Sequence, residues 1–161
     1  MEIRVRNAEI RDAAMILDFI NKLAEFEKEP LSNILATEES IIRDGFGEKP
    51  SFECLIADVN EKAVGFVLFF QNYSTWEARS GIYVEDLFVE EKYRNFGVGE
   101  KLLSAIARIA IARNIGRIEL SVLDWNPARR FYEKLGMQEM PQWITCRLEG
   151  SKIDKLAASK K

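Results

Sequence analysis

The sequence contains no histidine and only two cysteines, and these absences exclude several kinds of active site. Without histidine, neither a Ser-His-Asp triad nor a Cys-His nucleophile can form. Cys54 and Cys146 lie far apart inside apolar runs, so they predict buried free thiols and no Cys/His zinc site. Proton transfer is therefore left to Asp, Glu, Tyr, Lys or Cys side chains.

Long hydrophobic runs and an excess of positive charge are also absent. No apolar stretch approaches the roughly 20 residues that span a bilayer, and the first residues lack the apolar region of a signal peptide. A net charge of −3 argues against nucleic-acid binding, which needs clustered basic residues. A hydrophobic content of 47% with only 9 Gly and 4 Pro predicts one packed domain over residues 1–161. We therefore expect a cytoplasmic protein that binds neither membranes nor nucleic acid.

Hydrophobic periodicity predicts elements in the order β, α, α, β, β, β, α, β, α, β. The first helix covers residues 14–26, and the last strand runs from Trp143 to Leu148. Two strands, from Phe52 to Val59 and from Ala63 to Asn72, are joined by a short hairpin connection. This order predicts an α/β (α+β) fold, in which a mixed sheet carries helices on both faces.

The stretch from Ile82 to Ala112 reads as a strand, a glycine-containing turn and a long amphipathic helix. In the turn from Arg94 to Gly99, two glycines permit positive φ and close backbone approach. A helix that starts near Gly99 directs its first N–H groups into this turn, which favours an anion such as a phosphate. A dinucleotide-binding G-x-G-x-x-G is excluded because its third glycine would fall on Leu102, and a P-loop is excluded because Glu100 replaces its lysine.

The turn and a second motif together resemble the GCN5-related N-acetyltransferases, the GNAT superfamily. The first motif is R-x-x-G-x-G after V-E-D-L-F-V, and the second is N-P-A-R-R-F-Y-E-K-L-G at residues 126–136, which is similar to N-x-x-A-x-x-x-Y-x-x-x-G. Asn126 departs from that pattern because it lies six residues before Tyr132, where the family usually has seven. Further segments resemble the diamine branch, which comprises the spermidine/spermine and thialysine types, over nearly the whole length. The resemblance implies a mixed, mostly antiparallel central sheet flanked by helices.

The resemblance also implies that acetyl-CoA is the co-substrate and that no metal takes part. Its pyrophosphate would lie on the N–H groups of Asn95 to Glu100, and its pantetheine arm along Leu87 to Val89 like an added strand. The residues expected to bind acetyl-CoA are Leu87, Phe88, Val89, Arg94, Asn95, Phe96, Gly97, Val98, Gly99, Glu100, Asn126, Ala128 and Tyr132.

Two residues are candidates for catalysis. An alkylammonium has a pKa of about 10.4, so its deprotonation at pH 7 costs roughly 4–5 kcal/mol, and a nearby carboxylate would help. On a regular strand Glu85 and Asp86 point to opposite faces, and we assign Glu85 to amine binding and proton removal through water. The alternative is that either carboxylate pairs with a nearby Arg or Lys. The resemblance implies that Tyr132 protonates the departing CoA thiolate, and the alternative is that Tyr132 is a core aromatic residue.

The acetyl acceptor is expected to be a primary amine of a small molecule, namely a polyamine, a diamine or a thialysine-like amino acid. The residues expected to contact it are Glu27, Trp76, Glu85, Asp86, Asp124 and Trp143. As lone aromatics, Trp76 and Trp143 are also typical of a core or a dimer interface, and Glu27 of a solvated surface. The resemblance implies a homodimer. Two other functions stay open: acetylation of protein N-termini or lysines, and CoA binding without turnover.

Overall fold

A computed structural model of the chain describes residues 1–159 and divides it into two compact units. The first unit is Met1–Asn126, and the second begins at Pro127. No helix within residues 1–159 is long and apolar enough to cross a membrane.

The first unit is built on a five-stranded sheet with the strand order β1-β2-β3-β4-β5. The strands are β1 (Ile3–Asn7), β2 (Glu53–Val59), β3 (Lys62–Ser74), β4 (Arg79–Val89) and β5 (Ile118–Leu120). β1 to β4 pair antiparallel and β5 pairs parallel with β4, which confirms a mixed, mostly antiparallel sheet. Asn60 and Glu61 join β2 to β3 with φ angles of 49° and 64°, as a two-residue hairpin of this twist requires.

The first helix and the helix after the glycine turn begin within one residue of their predicted starts. The helices of the first unit are α1 (Ala13–Phe26), α2 (Glu38–Phe46) and α3 (Val98–Ala112); those of the second unit are α4 (Ala128–Lys134) and α5 (Ser151–Ala157). Thr37 is the capping residue of α2, and it forms hydrogen bonds with the first turn of the helix. The Thr37 hydroxyl accepts from the Ser40 backbone N–H at 3.1 Å, and the Ser40 hydroxyl accepts from the Thr37 N–H at 2.9 Å.

Helices cover both faces of the sheet. On one face, which we call the α1 face, the ring of Phe19 lies 5.7 Å from that of Phe66 and 5.6 Å from that of Phe88. Burial of each such side chain contributes about 1.5–3 kcal/mol to folding. The alternate residues Val67 and Phe69 are buried on the opposite face, where α3 packs across β1 to β4. This opposite face is called the α3 face below.

Strand β4 contains a β-bulge at Glu85. Leu68 in β3 pairs with Asp86, but the next residue of β3, Phe69, pairs with Val84, so Glu85 is the extra residue. The bulge changes the alternation along β4: Val84 lies on the α3 face, whereas Asp86 lies with Leu68 on the α1 face. The premise of a regular strand, on which Glu85 and Asp86 point to opposite faces, is therefore wrong.

In the second unit the predicted strand from Trp143 to Leu148 is wrong, because this segment has no strand structure. Alternation of apolar and polar residues is a local signal, but a strand also needs a neighbour for its backbone bonds. The described part of the second unit, residues 127–159, offers none. Cys146 is consequently exposed, contrary to the prediction, whereas Cys54 is buried as predicted. A short helix, α5, follows, which the sequence pattern did not predict.

Candidate functional site

The β4 bulge brings acidic side chains together at the end of α1. Glu27 is the residue that ends α1, and its carboxylate acts electrostatically on Asp86 together with that of Glu85. Burial, then Glu85 and Glu27, raise the pKa of Asp86 from 3.8 to about 6. Burial and the neighbouring Glu29 raise the pKa of Glu27 as well. Three of the residues predicted to bind the acceptor therefore form one cluster, namely Glu27, Glu85 and Asp86.

This acidic cluster, Glu27, Glu85 and Asp86, has no ion-pair partner within the first unit. None of the lysine or arginine residues among residues 1–126 forms an ion pair with it. Lys22, which approaches the same strand, instead pairs with Asp18 at 2.7 Å and Glu90 at 3.4 Å. Carboxylates that remain partly buried without a countercharge are electrostatically suited to an external cation, such as an ammonium group.

Two aromatic rings extend the site along the α1 face. Phe70 and Tyr83 are paired across β3 and β4 with their ring centroids 5.3 Å apart, and the Tyr83 hydroxyl lies 2.6 Å from the Ser121 hydroxyl. Sequence reasoning missed this pair because strict alternation places Tyr83 and Asp86 on opposite faces. The bulge between them puts both on the α1 face.

The glycine turn has the backbone geometry of an anion site. Asn95 and Gly97 adopt positive φ angles of 63° and 83°, and Gly97 is the residue that precedes α3. α3 begins at Val98, one residue earlier than predicted. The first N–H groups of a helix have no acceptor within it, so those that follow Gly97 can donate to a bound phosphate.

The Arg94 side chain is held at the end of β4. Its Nε donates to the Val89 carbonyl at 2.9 Å, and its guanidinium lies 4.7 Å from the Phe26 ring centroid. These contacts tie the glycine turn to the end of α1. Any phosphate contact by Arg94 therefore falls to its remaining N–H groups.

The C-terminal part of β4 has one edge with which β5 does not pair. β5 pairs only with Ile82 to Val84, so in the described chain no strand pairs with that edge of Leu87 to Val89. An extended ligand arm can bind to backbone groups of such an edge as an added strand does. The open edge and the glycine turn fit the two ends of the expected acetyl-CoA track.

Of the remaining candidate residues, three belong to the first unit and three to the second. Trp76 is in the turn between β3 and β4 and is 87% exposed, Asp124 is exposed, and Asn126 is buried at the end of the first unit. Ala128 and Tyr132 belong to α4, where the Tyr132 ring lies 5.3 Å from the Phe131 ring. Trp143 is 68% exposed. The approach of Tyr132 and Trp143 to Asp86 stays a prediction.

Comparison with known proteins was made against families, individual proteins and solved structures. A model of the acetyltransferase (GNAT) family matches residues 17–137, which include the β4 bulge, the glycine turn and α4. The chain belongs to the GNAT family. This GNAT protein is accordingly an N-acetyltransferase, and the resemblance in its two motifs is confirmed.

Its relatives include the thialysine N-epsilon-acetyltransferase of Mus musculus, which is 37% identical over 96% of this chain and 96% of that protein. The L-ornithine N5-acetyltransferase NATA1 of Arabidopsis thaliana is 45% identical over 68% of this chain and 50% of that protein. Among solved structures, an integron cassette protein from the V. cholerae mobile metagenome superposes with a TM-score of 0.80 at 23% identity, covering 99% of both chains. That structure supports the fold alone.

Proposed function

We propose that this enzyme transfers the acetyl group of acetyl-CoA to a primary amine of a small molecule by direct attack in a ternary complex. The acceptor class is a polyamine, a diamine or a thialysine-like amino acid. The observation that carries the proposal is the acidic cluster at the β4 bulge, which has no cation of its own within residues 1–126. Relatives named for thialysine and ornithine support the same class.

In this proposal the acidic cluster binds the amine and removes its proton. Asp86 and Glu27 hold the incoming ammonium group, and its positive charge opposes the effects that raise the pKa of Asp86. Glu85, exposed at the bulge, accepts the proton through water. Because deprotonation at pH 7 costs roughly 4–5 kcal/mol, a carboxylate next to the nitrogen is a direct aid to attack.

The acetyl-CoA track in this proposal follows the open edge of β4 and ends at the glycine turn. When bound, acetyl-CoA supplies the thioester carbonyl that the amine attacks. The backbone N–H of Leu87 or of a neighbour donates to that carbonyl, and Phe88 and Val89 continue the edge. The N–H groups of Asn95 to Glu100 bind the pyrophosphate. The residues assigned to this track include Arg94, Phe96, Gly97, Val98, Gly99, Asn126 and Ala128.

Tyr132 is proposed as the acid that protonates the departing thiolate. A thiol has a pKa of about 8.5 and a tyrosine of about 10, so transfer of the phenol proton to the thiolate costs only a small amount of free energy. Its position in α4, within the family motif, supports the assignment.

A homodimer, a single domain over residues 1–161 and a cytoplasmic location complete the proposal. The family match spans the boundary between the two units, which supports one domain. Trp143 and Ile144 are 68% and 84% exposed, and neighbouring apolar side chains in such positions favour an interface with a second copy. Trp76, Trp143 and Asp124 are proposed to contact the acceptor in that assembly.

The test is a screen for release of the CoA thiol with polyamines, diamines, thialysine, ornithine and acceptor peptides. We expect release with the small amines, and a loss of about 100-fold in kcat/KM for E85Q and D86N. D44N is the matched control, because Asp44 is an exposed carboxylate that pairs with Arg43 in α2. Turnover with peptides alone would favour a protein acetyltransferase, and no release with any amine would favour a CoA-binding module.

A further inference from the structure

An ion pair lies on the α1 face of the sheet beyond the aromatic pair. Arg117 Nε and Glu119 Oε2 are 3.0 Å apart, and their side chains are 40% and 41% exposed. Glu119 is the register partner of Tyr83, whereas its neighbours in β5 are partners of Ile82 and Val84 on the α3 face. Register partners on neighbouring strands point to the same side of a sheet. Glu119 therefore lies on the same face as Tyr83 and Asp86.

The spacing along β4 between Tyr83, the register partner of Glu119, and Asp86 is comparable to the length of a small diamine chain. Asp86 lies three residues along β4 from Tyr83, and one of the three is the bulge residue, which gives roughly 7–10 Å along the strand. An extended chain of five bonds from an α-carbon to a terminal nitrogen spans about 6 Å. The rings of Phe70 and Tyr83 lie between the two charged ends and offer an apolar floor to the methylene groups.

Two neighbours hold the ion pair in place. The Asn72 side-chain nitrogen is 3.5 Å from Glu119 Oε2, and the buried Asn72 Oδ1 has no hydrogen-bond partner among the described residues. The amide nitrogen of Asn72 thus faces the carboxylate, and its carbonyl oxygen faces away from it. Gly81 leaves the necessary space, since a Cβ there would overlap Asn72 Oδ1 and would lie 3.3 Å from Arg117 Cγ.

We propose that Arg117 and Glu119 bind the amino acid head of the acceptor and so select a diamino acid over a simple diamine. Arg117 binds the α-carboxylate, Glu119 binds the α-ammonium group, and the terminal amine lies at Asp86. Guanidinium groups present several donors in a plane that matches a carboxylate, and the Nε–Glu119 contact leaves the other Arg117 donors for it. This inference rests on the proposed function, because it describes the acceptor end of the same site.

Matched substrates test the inference. L-ornithine and 1,4-diaminobutane have the same chain apart from the carboxylate, as do L-lysine and 1,5-diaminopentane. We expect the unmodified enzyme to favour the amino acid of each pair by at least about 10-fold in kcat/KM. R117Q should remove this preference by lowering kcat/KM for the amino acids about 10-fold, with the diamines within about twofold.

Two further variants separate the roles. E119Q should lower kcat/KM for both substrate classes, because both carry a second ammonium group. R113Q is the control, since Arg113 pairs with Glu53 at 2.6 Å at the end of α3, and it should leave the preference unchanged. Equal use of amino acids and diamines by the unmodified enzyme, or an R117Q loss shared by both classes, would overturn the inference while leaving amine acetylation intact. No acetylation of any of these four amines, nor of the polyamines and thialysine of the wider screen, would overturn the proposed function as well.

Discussion

Replacing Asp86 by Asn should stabilise the folded protein at neutral pH, because the ionised carboxylate is unfavourable where it lies. Burial and two neighbouring carboxylates raise its pKa to about 6 in the folded chain, against 3.8 for an ordinary aspartic acid. Between these values the unfolded chain loses its proton while the folded chain keeps it. The stability associated with the neutral acid is therefore complete below pH 3.8 and is lost as the pH rises through 6.

The magnitude follows from the two pKa values. Their difference, 6 minus 3.8, is about 2.2, and each pKa unit corresponds to about 1.36 kcal/mol, which gives about 3 kcal/mol above pH 7. At pH 4 the same relation gives only about 0.5 kcal/mol, because the unfolded chain is then only partly ionised while the folded carboxyl keeps its proton. D86N cannot ionise, so it should exceed the unmodified protein in unfolding free energy by up to about 3 kcal/mol at pH 8.

The assay is urea unfolding of both proteins at pH 4, 5, 6, 7 and 8, followed by circular dichroism, with the denaturant slope compared between them. D12N is a control of opposite sign. The Arg6 guanidinium, 2.7 Å from Asp12, lowers the pKa of that carboxyl, so its contribution is present above the ordinary pKa and is lost as the pH falls. D12N should therefore destabilise the protein at pH 8 and progressively less toward acid pH.

Equal stabilisation by D86N at pH 4 and pH 8 would refute this reasoning, because a gain that is independent of pH cannot come from ionisation. Destabilisation at pH 8 would refute it as well, since Asp86 would then be held by a favourable contact. If D86N gains stability and loses turnover, the cost of the carboxylate to folding is linked to its role in the acidic cluster.

Two other predictions concern the second unit. Tyr132→Phe should lower kcat by about 100-fold while the affinity for acetyl-CoA changes less than about twofold, measured by steady-state kinetics and calorimetry; near-normal turnover would remove the tyrosine from the mechanism. Light scattering after size exclusion should give twice the chain mass of 18.5 kDa, and a monomer across the micromolar range would contradict the proposed homodimer.

Much of the fold could be predicted because its signals are local. The apolar periodicity of residues 14–26 indicated α1, and the glycines at 97 and 99 indicated the turn before α3, each within one residue of the structure. The prediction of a strand from Trp143 to Leu148 was wrong. Its alternating pattern is a local signal, whereas a strand also needs hydrogen bonds to another strand that is distant in sequence. The predicted burial of Cys146 depended on that strand and was wrong with it.

The sequence by itself determined the family, the order of the elements through α4 and the presence of a glycine turn before α3. These properties depend on residue identities at fixed spacings, which two motifs already contain. Only the tertiary structure decided the position of the bulge, because an extra residue in β4 is defined by its pairing with β3 and leaves no pattern of its own. That single shift of register puts Asp86 on the same face as Tyr83 and Glu119, where the acceptor is proposed to bind.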